Sequence, residues 1–306
     1  MLVAIFGAVA LNLFAATQTP AQTQTAPSTL PDVVVSGTRH TPREARRFVD
    51  EISTAPIHAL TLSTWLTPIC LGVINLRAEA AAAIVARIEA EAAEVGVPVA
   101  PAGCHPYNVT LLATSDGRFT ASELVDAYRD HFIVSSGATQ GDGEALRRFV
   151  ETEAPVRWWT ISALMDEDSK RTLVSLGGGP APTEDTTGEV YFGQNRREGM
   201  LASLVILDLS KMNDVPDVAL GDYIAMVVLA NIDPEARPRS PTILNMWGEG
   251  EAVAGLTPWD RAYLKALYQA PVRLSGSGLQ TRSLYQLNEM ARLMSVQLGE
   301  AAEPAP

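Results

Sequence analysis

The sequence predicts an α/β (α+β) fold in which helices pack on a mixed sheet. Three observations lead there. Short apolar or β-branched runs alternate with longer runs of helical period. Two helical runs open on a Thr-Pro pair, Thr41-Pro42 and Thr257-Pro258, with Thr as the cap and Pro at the first helical position. Near the N-terminus the order is strand, helix, strand, which calls for a parallel pair joined by a crossover helix.

Taken in order, Leu2–Ala16 is apolar and uncharged, too short to span a bilayer comfortably but as long as the core of an export signal. Residues 1–21 are therefore expected to be a signal peptide, with small residues for cleavage at Ala15, Ala16 and Ala21. No basic residue precedes the run, and a buried N-terminal helix is the alternative. Residues 22–31 form a Thr/Gln/Pro-rich linker. No cysteine follows the apolar run to carry a lipid anchor, and no later run reaches the length of a membrane span.

The rest divides into a βαβ-containing part, 32–135, a second part, 136–300, and a tail, 301–306, expected to be disordered. Asp32–Arg39 (DVVVSGTR) is a β-branched run ended by Gly37, and Thr41 caps the helix that carries Phe48, Val49 and Ile52. Pro68–Val73 (PICLGV) reads as a buried strand. Ala78–Gly96 is an Ala-rich helix with Ile84, Val85, Ile88 and Val95 on one side and Gly96 where a helix commonly stops. Asn108–Ala113 is the second strand, followed by helices at Glu123–His131 and Glu144–Glu151. Val156–Ser162 (VRWWTIS) is a strand; its Trp158–Trp159 pair reads either as one core and one surface ring or as a stacking platform. Leu201–Leu209 is a strand, Ala219–Ile232 a helix, Pro241–Trp247 a strand or turn, and Thr257–Tyr268 a capped helix. The final helix, about Gln280–Leu298, carries one apolar stripe for its own domain or for a partner.

Composition narrows the function classes. In 306 residues, 47% are hydrophobic and 19% charged, which describes a folded chain with a sizeable core. The formal charge of −12 argues against a nucleic-acid partner, which needs clustered Lys and Arg. The two cysteines, Cys70 and Cys104, read as a disulfide in an oxidising compartment, or else as two buried thiols. A bridge would contribute about 3–4 kcal/mol in the chain-entropy model.

Catalytic constellations are missing. No serine stands in a G-x-S-x-G elbow, and Gly177–Gly179 lacks the Lys and Ser/Thr of a phosphate loop. His40, His58, His105 and His131 form no i, i+4 pair for zinc. No cofactor and no metal site is predicted.

Three resemblances add to this. The order from Leu201 to Tyr268 resembles the C-terminal half of zincin metalloproteases of the metzincin type. Leu256–Tyr268 (LTPWDRAYLKALY) is similar to their closing helix, and Pro241–Met246 (PTILNM) to their Met-turn, with Leu244 or Met246 in the methionine's place. The resemblance puts Asp222, Tyr223 and Met226 on the three positions of H-E-x-x-H. It thus implies a zincin-like part without its zinc motif, because Met is a poor zinc ligand and Tyr a poor base. The whole chain also resembles an uncharacterised group of proteobacterial envelope proteins, through Asp32–Arg39, Pro68–Val73, Gly103–Asn108 and Asp222–Met226. Asp32–Arg39 resembles, in addition, the segment of TonB-dependent receptors that meets their energy-coupling partner; an ordinary edge strand is the alternative.

The expectation is a periplasmic or secreted pseudo-metalloprotease that binds an envelope protein or peptide. An active peptidase with an atypical site and a structural envelope component are the alternatives.

Overall fold

In the computed structural model the residues described are 40–54, 61–133, 143–173, 196–212, 215–248, 253–272 and 279–302. The expected signal peptide, the linker, the Asp32–Arg39 run, the triple glycine 177–179 and His58 lie outside them.

Among the described residues the sheet has the order β1-β2-β4-β3, built from β1 (Leu71–Ile74), β2 (Val109–Thr114), β3 (Val156–Asp166) and β4 (Arg196–Asp208). β1 runs parallel to β2 with Leu71 opposite Val109, and β2 runs parallel to β4 with Val109 opposite Ser203. β3 is antiparallel to β4, Val156 opposite Leu207, with a bulge after Ile161. The sheet is therefore mixed, with helices packed on it, as the α/β reading requires. The crossover between β1 and β2 is α2 (Ala78–Glu94). Strands from both parts of the chain share this sheet, β1 and β2 from the first and β3 and β4 from the second.

Different helices cover the two faces. On one, α2 packs against α5 (Asp217–Leu229), and both belong to the larger core with Trp158, Val205 and Val109. On the other, α3 (Gly117–Phe132) and α4 (Gly143–Glu151) enclose a smaller core of Phe132, Leu146, Phe149, Trp159 and Ile206. Neighbouring residues of a strand point to opposite faces, so both rings of the Trp158–Trp159 pair are interior, one in each core. Each is 4% exposed, which leaves neither at the surface.

The remaining helices, α1 (Pro42–Ile52), α6 (Pro258–Gln269) and α7 (Leu279–Ala302), pack together against the larger core. Phe48 meets the rings of Trp259 and Tyr263, at 5.2 and 6.1 Å. Both Thr-Pro starts form capping boxes: the Thr hydroxyl accepts from the amide three residues on, and that residue's carboxylate accepts from the Thr amide. α7 continues to Ala302, into the stretch expected to be tail.

The disulfide joins Cys70 to Cys104 with their Cα atoms 5.9 Å apart. Cys70 immediately precedes β1. Its carbonyl accepts from the amides of Asn108 and Val109, at 3.1 and 3.2 Å, so the bridge closes where the parallel pair begins.

Candidate functional site

Asp222, Tyr223 and Met226 sit on α5, and the burial of that helix decides what they can do. Every residue from Ala219 to Leu229 is buried. A helix apolar on all sides belongs in a core. It is approached closely by α2, since a Cβ on Gly221 would lie 2.9 Å from the Arg87 Cβ and 3.2 Å from the Ile84 Cα.

The Asp222 carboxylate faces this contact. It accepts from Arg87 Nε at 2.5 Å and from the Leu256 amide at 3.0 Å. Arg87 also donates to Glu91 at 3.0 Å, Arg261 Nη2 lies 3.6 Å from the same Glu91 oxygen, and Arg261 donates to the Leu256 carbonyl at 2.6 Å. The ring closes on Leu256 and ties α5, α2 and α6 together. Tyr223 packs edge-on against Trp158 and Trp247, at 6.2 and 4.6 Å. Burial raises its phenol above the usual range. Met226 is fully buried. Asp222 and Tyr223 therefore point into different sets of contacts, the first toward α2 and α6 and the second toward Trp158 and Trp247. Among the described residues, no three His, Cys, Asp or Glu side chains gather as a metal site would need.

The segment Pro241–Met246 contains a 3₁₀ turn, Ile243–Asn245, fastened to α6. Asp260, fully buried, accepts from the Thr242 hydroxyl, from the Ile243 amide at 2.9 Å and from the amide and hydroxyl of Thr257, each at 2.8 Å. Burial pushes its carboxyl above the ordinary carboxylate range against the pull of these donors. The C-terminus of α5 is held in the same way: Trp65 Nε1 donates to the Val228 carbonyl at 2.7 Å and the Tyr268 hydroxyl to the Leu229 carbonyl at 2.8 Å. The polar groups of this half serve the packing.

An open site lies elsewhere. A cleft of about 210 Å³ runs along the start of β3. Its floor is Val156–Trp159; Ala145, Arg148 and Phe149 of α4 form one wall, and Thr54 with the turn Asp233–Glu235 forms the other. The walls belong to opposite faces of the sheet. Trp159 shares the smaller core with Phe149, while Trp158 donates its indole N–H to the Ile232 carbonyl, at 3.2 Å, beside the Asp233 turn. A cleft lined from both faces lies on the edge that the sheet has among the described residues. An Arg148–Glu235 ion pair of 3.4 Å spans its mouth.

Arg157 fixes the α4 wall. It is 3% exposed and donates to the carbonyls of Phe149 and Val150, both at 2.9 Å, and of Thr152 at 2.8 Å, so a cation holds the C-terminal carbonyls of α4. Burial lowers its pKa, and Asp208 is the first of the acids that oppose this. Asp208, where β4 ends, in turn accepts from the Gly117 amide at 3.1 Å and from the Ser210 hydroxyl at 2.6 Å.

The sequence singled out Trp158 and Trp159 but none of the wall residues. Arg157, a charge inside an otherwise apolar strand, was the signal available; Arg148 and Asp233 lie in ordinary surface stretches. No family model, no curated protein and no solved structure matches the chain.

Proposed function

We propose that this is an exported, non-catalytic binding protein of the periplasm or extracellular space, and that it binds an envelope protein or peptide in the β3 cleft. The observation that carries the reading is the contrast in how polar groups are used. On the zincin-like stretch Asp222 and Asp260 are committed to arginine, hydroxyl and amide partners, so neither is available as a ligand or general base. The cleft instead is concave and mostly apolar, with a few polar groups at its mouth, which is the character of a binding site. The Cys70–Cys104 bridge supports an oxidising compartment. In this reading α5 and α6 keep a metalloprotease-like order while the positions of the metal ligands serve packing.

The test is a photoreactive amino acid placed at Ala145 in cells that export the protein, with Glu94 at the exposed end of α2 as the comparison site. A discrete cross-linked product from position 145 and none from position 94 is the expected result. No product at 145, or the same products from both sites, would remove the cleft as the binding site.

A further inference from the structure

We propose that the cleft takes its ligand by strand addition: an extended peptide, alternately apolar and basic, pairs with the outer edge of β3. The inference rests on the cleft being the binding site and adds how it binds and what it selects.

The first argument is the register. The Asp208 amide donates to the Pro155 carbonyl at 2.8 Å, which makes Pro155 and Asp208 a hydrogen-bonded pair. Such pairs alternate along an antiparallel ladder, so Arg157 and Trp159 face β4, while Val156 and Trp158 turn their N–H and C=O groups outward. β3 ends the strand order among the described residues, and the cleft lies along those outward groups. The far end of this edge is already paired, since the Leu173 amide donates to the Leu164 carbonyl at 2.8 Å, but Val156 and Trp158 lie at its start, and a strand edge without a neighbouring strand is a template for an extended backbone. The indole N–H groups of Trp158 and Trp159 are already committed to the carbonyls of Ile232 and Phe132, at 3.2 and 3.1 Å. The main chain is what the floor offers for hydrogen bonding.

The second argument is the chemistry of the walls. Side chains of an added strand point alternately to the two faces of the sheet. Toward α4 they meet Ala145 and Phe149, and toward the turn they meet Asp233 and Glu235. One set is therefore selected to be apolar and the other basic. Arg148 already answers both Glu144, at 3.2 Å, and Glu235, at 3.4 Å, and the net charge of −12 draws cationic ligands at long range. The volume of about 210 Å³ is below the roughly 300 Å³ at which small-molecule sites begin, and suits one or two side chains of a longer ligand.

The probe is a capped heptapeptide of alternating lysine and valine, titrated calorimetrically into the oxidised mature protein. Two N-methylated forms, one blocking the lysine amides and the other the valine amides, report the main-chain pairing. Binding by the parent peptide, with one methylated form weakened about tenfold more than the other, is expected, because only alternate amides face β3. Ala145→Trp, filling the apolar side, and Glu235→Lys, reversing an exposed charge, should each weaken binding; unfolding curves verify that both variants fold. Equal losses for the two methylated forms, with Ala145→Trp still blocking binding, would overturn strand addition and leave the cleft as the site. Undetectable binding by the parent peptide would overturn the peptide class proposed here, and binding indifferent to both substitutions would overturn the cleft itself.

Discussion

Trp158 stands between two regions that use their backbone and charges in opposite ways. On one side it touches Tyr223 of α5, where eleven consecutive residues are buried and Asp222 is enclosed by Arg87 and the Leu256 amide. On the other it floors a cleft whose edge strand turns main-chain groups outward. The comparison teaches that a motif's residue types do not locate a site. Acidic and phenolic groups on a helix look functional in sequence, yet burial commits Asp222 and Tyr223 to structural neighbours. The cleft, made by a strand's position in the sheet, has no residue pattern to announce it.

The comparison breaks first at Asp222. Asp222→Ala leaves Arg87 facing the α2–α5 contact without its main partner, and removing one member of a buried pair costs about 3–5 kcal/mol. Arg87 is itself 29% exposed at the side chain, which places the loss toward the lower end. Chemical unfolding should show it, while the zinc content of extensively dialysed protein stays below stoichiometric in parent and variant alike. One zinc per chain, lost in the variant, would make α5 a metal helix.

Cys104→Ser should cost about 2–5 kcal/mol. Mass analysis of the oxidised parent should show two hydrogen atoms fewer than the reduced form. Gly221→Ala comes next, at about 1–3 kcal/mol, because its methyl group would overlap Arg87 and the backbone of Ile84. By contrast, Arg148→Ala at the cleft mouth should change stability by less than about 0.5 kcal/mol, because its partners are exposed. A large loss there would show that the cleft wall is structural too.

Asp208 gives a pH-dependent check on the support behind the α4 wall. Burial raises its carboxyl, but the Ser210 hydroxyl, the Gly117 amide and Lys211 outweigh this and hold its pKa below the ordinary value. A folded pKa below the unfolded value of about 3.9 contributes stability above that pH, which is lost as pH falls through the folded pKa. Asp208→Asn should therefore be less stable than the parent at pH 6, and the gap should narrow in unfolding curves taken below about pH 4. A gap that widens on acidification would reverse the sign assigned to this group.

The sequence discloses this fold where the signals are local. The Thr41 and Thr257 capping boxes, the Ala-rich α2 and the βαβ order around the two cysteines all rest on residues close together in the chain. It is less informative where a tertiary bond sets the boundary. α3 begins at Gly117, six residues before the Glu123 start read from periodicity, and its first amide is held by Asp208 from the end of β4. β3 and β4 outrun their apolar cores because each supplies the other's hydrogen bonds as far as Asp166 and Arg196. Asp222 was visible as a residue, but its partner Arg87 lies 135 positions away on another helix. The cleft depends on β3 being the last strand of the sheet among the described residues, which no local pattern encodes.

The most direct test of the contrast between the two regions is hydrogen–deuterium exchange of the oxidised protein, with and without the lysine–valine heptapeptide. The account predicts that the peptide slows exchange at the amides of Val156 and Trp158 and leaves residues 217–229 unchanged. Protection confined to residues 217–229, with β3 unaffected, would contradict it and return the site to α5.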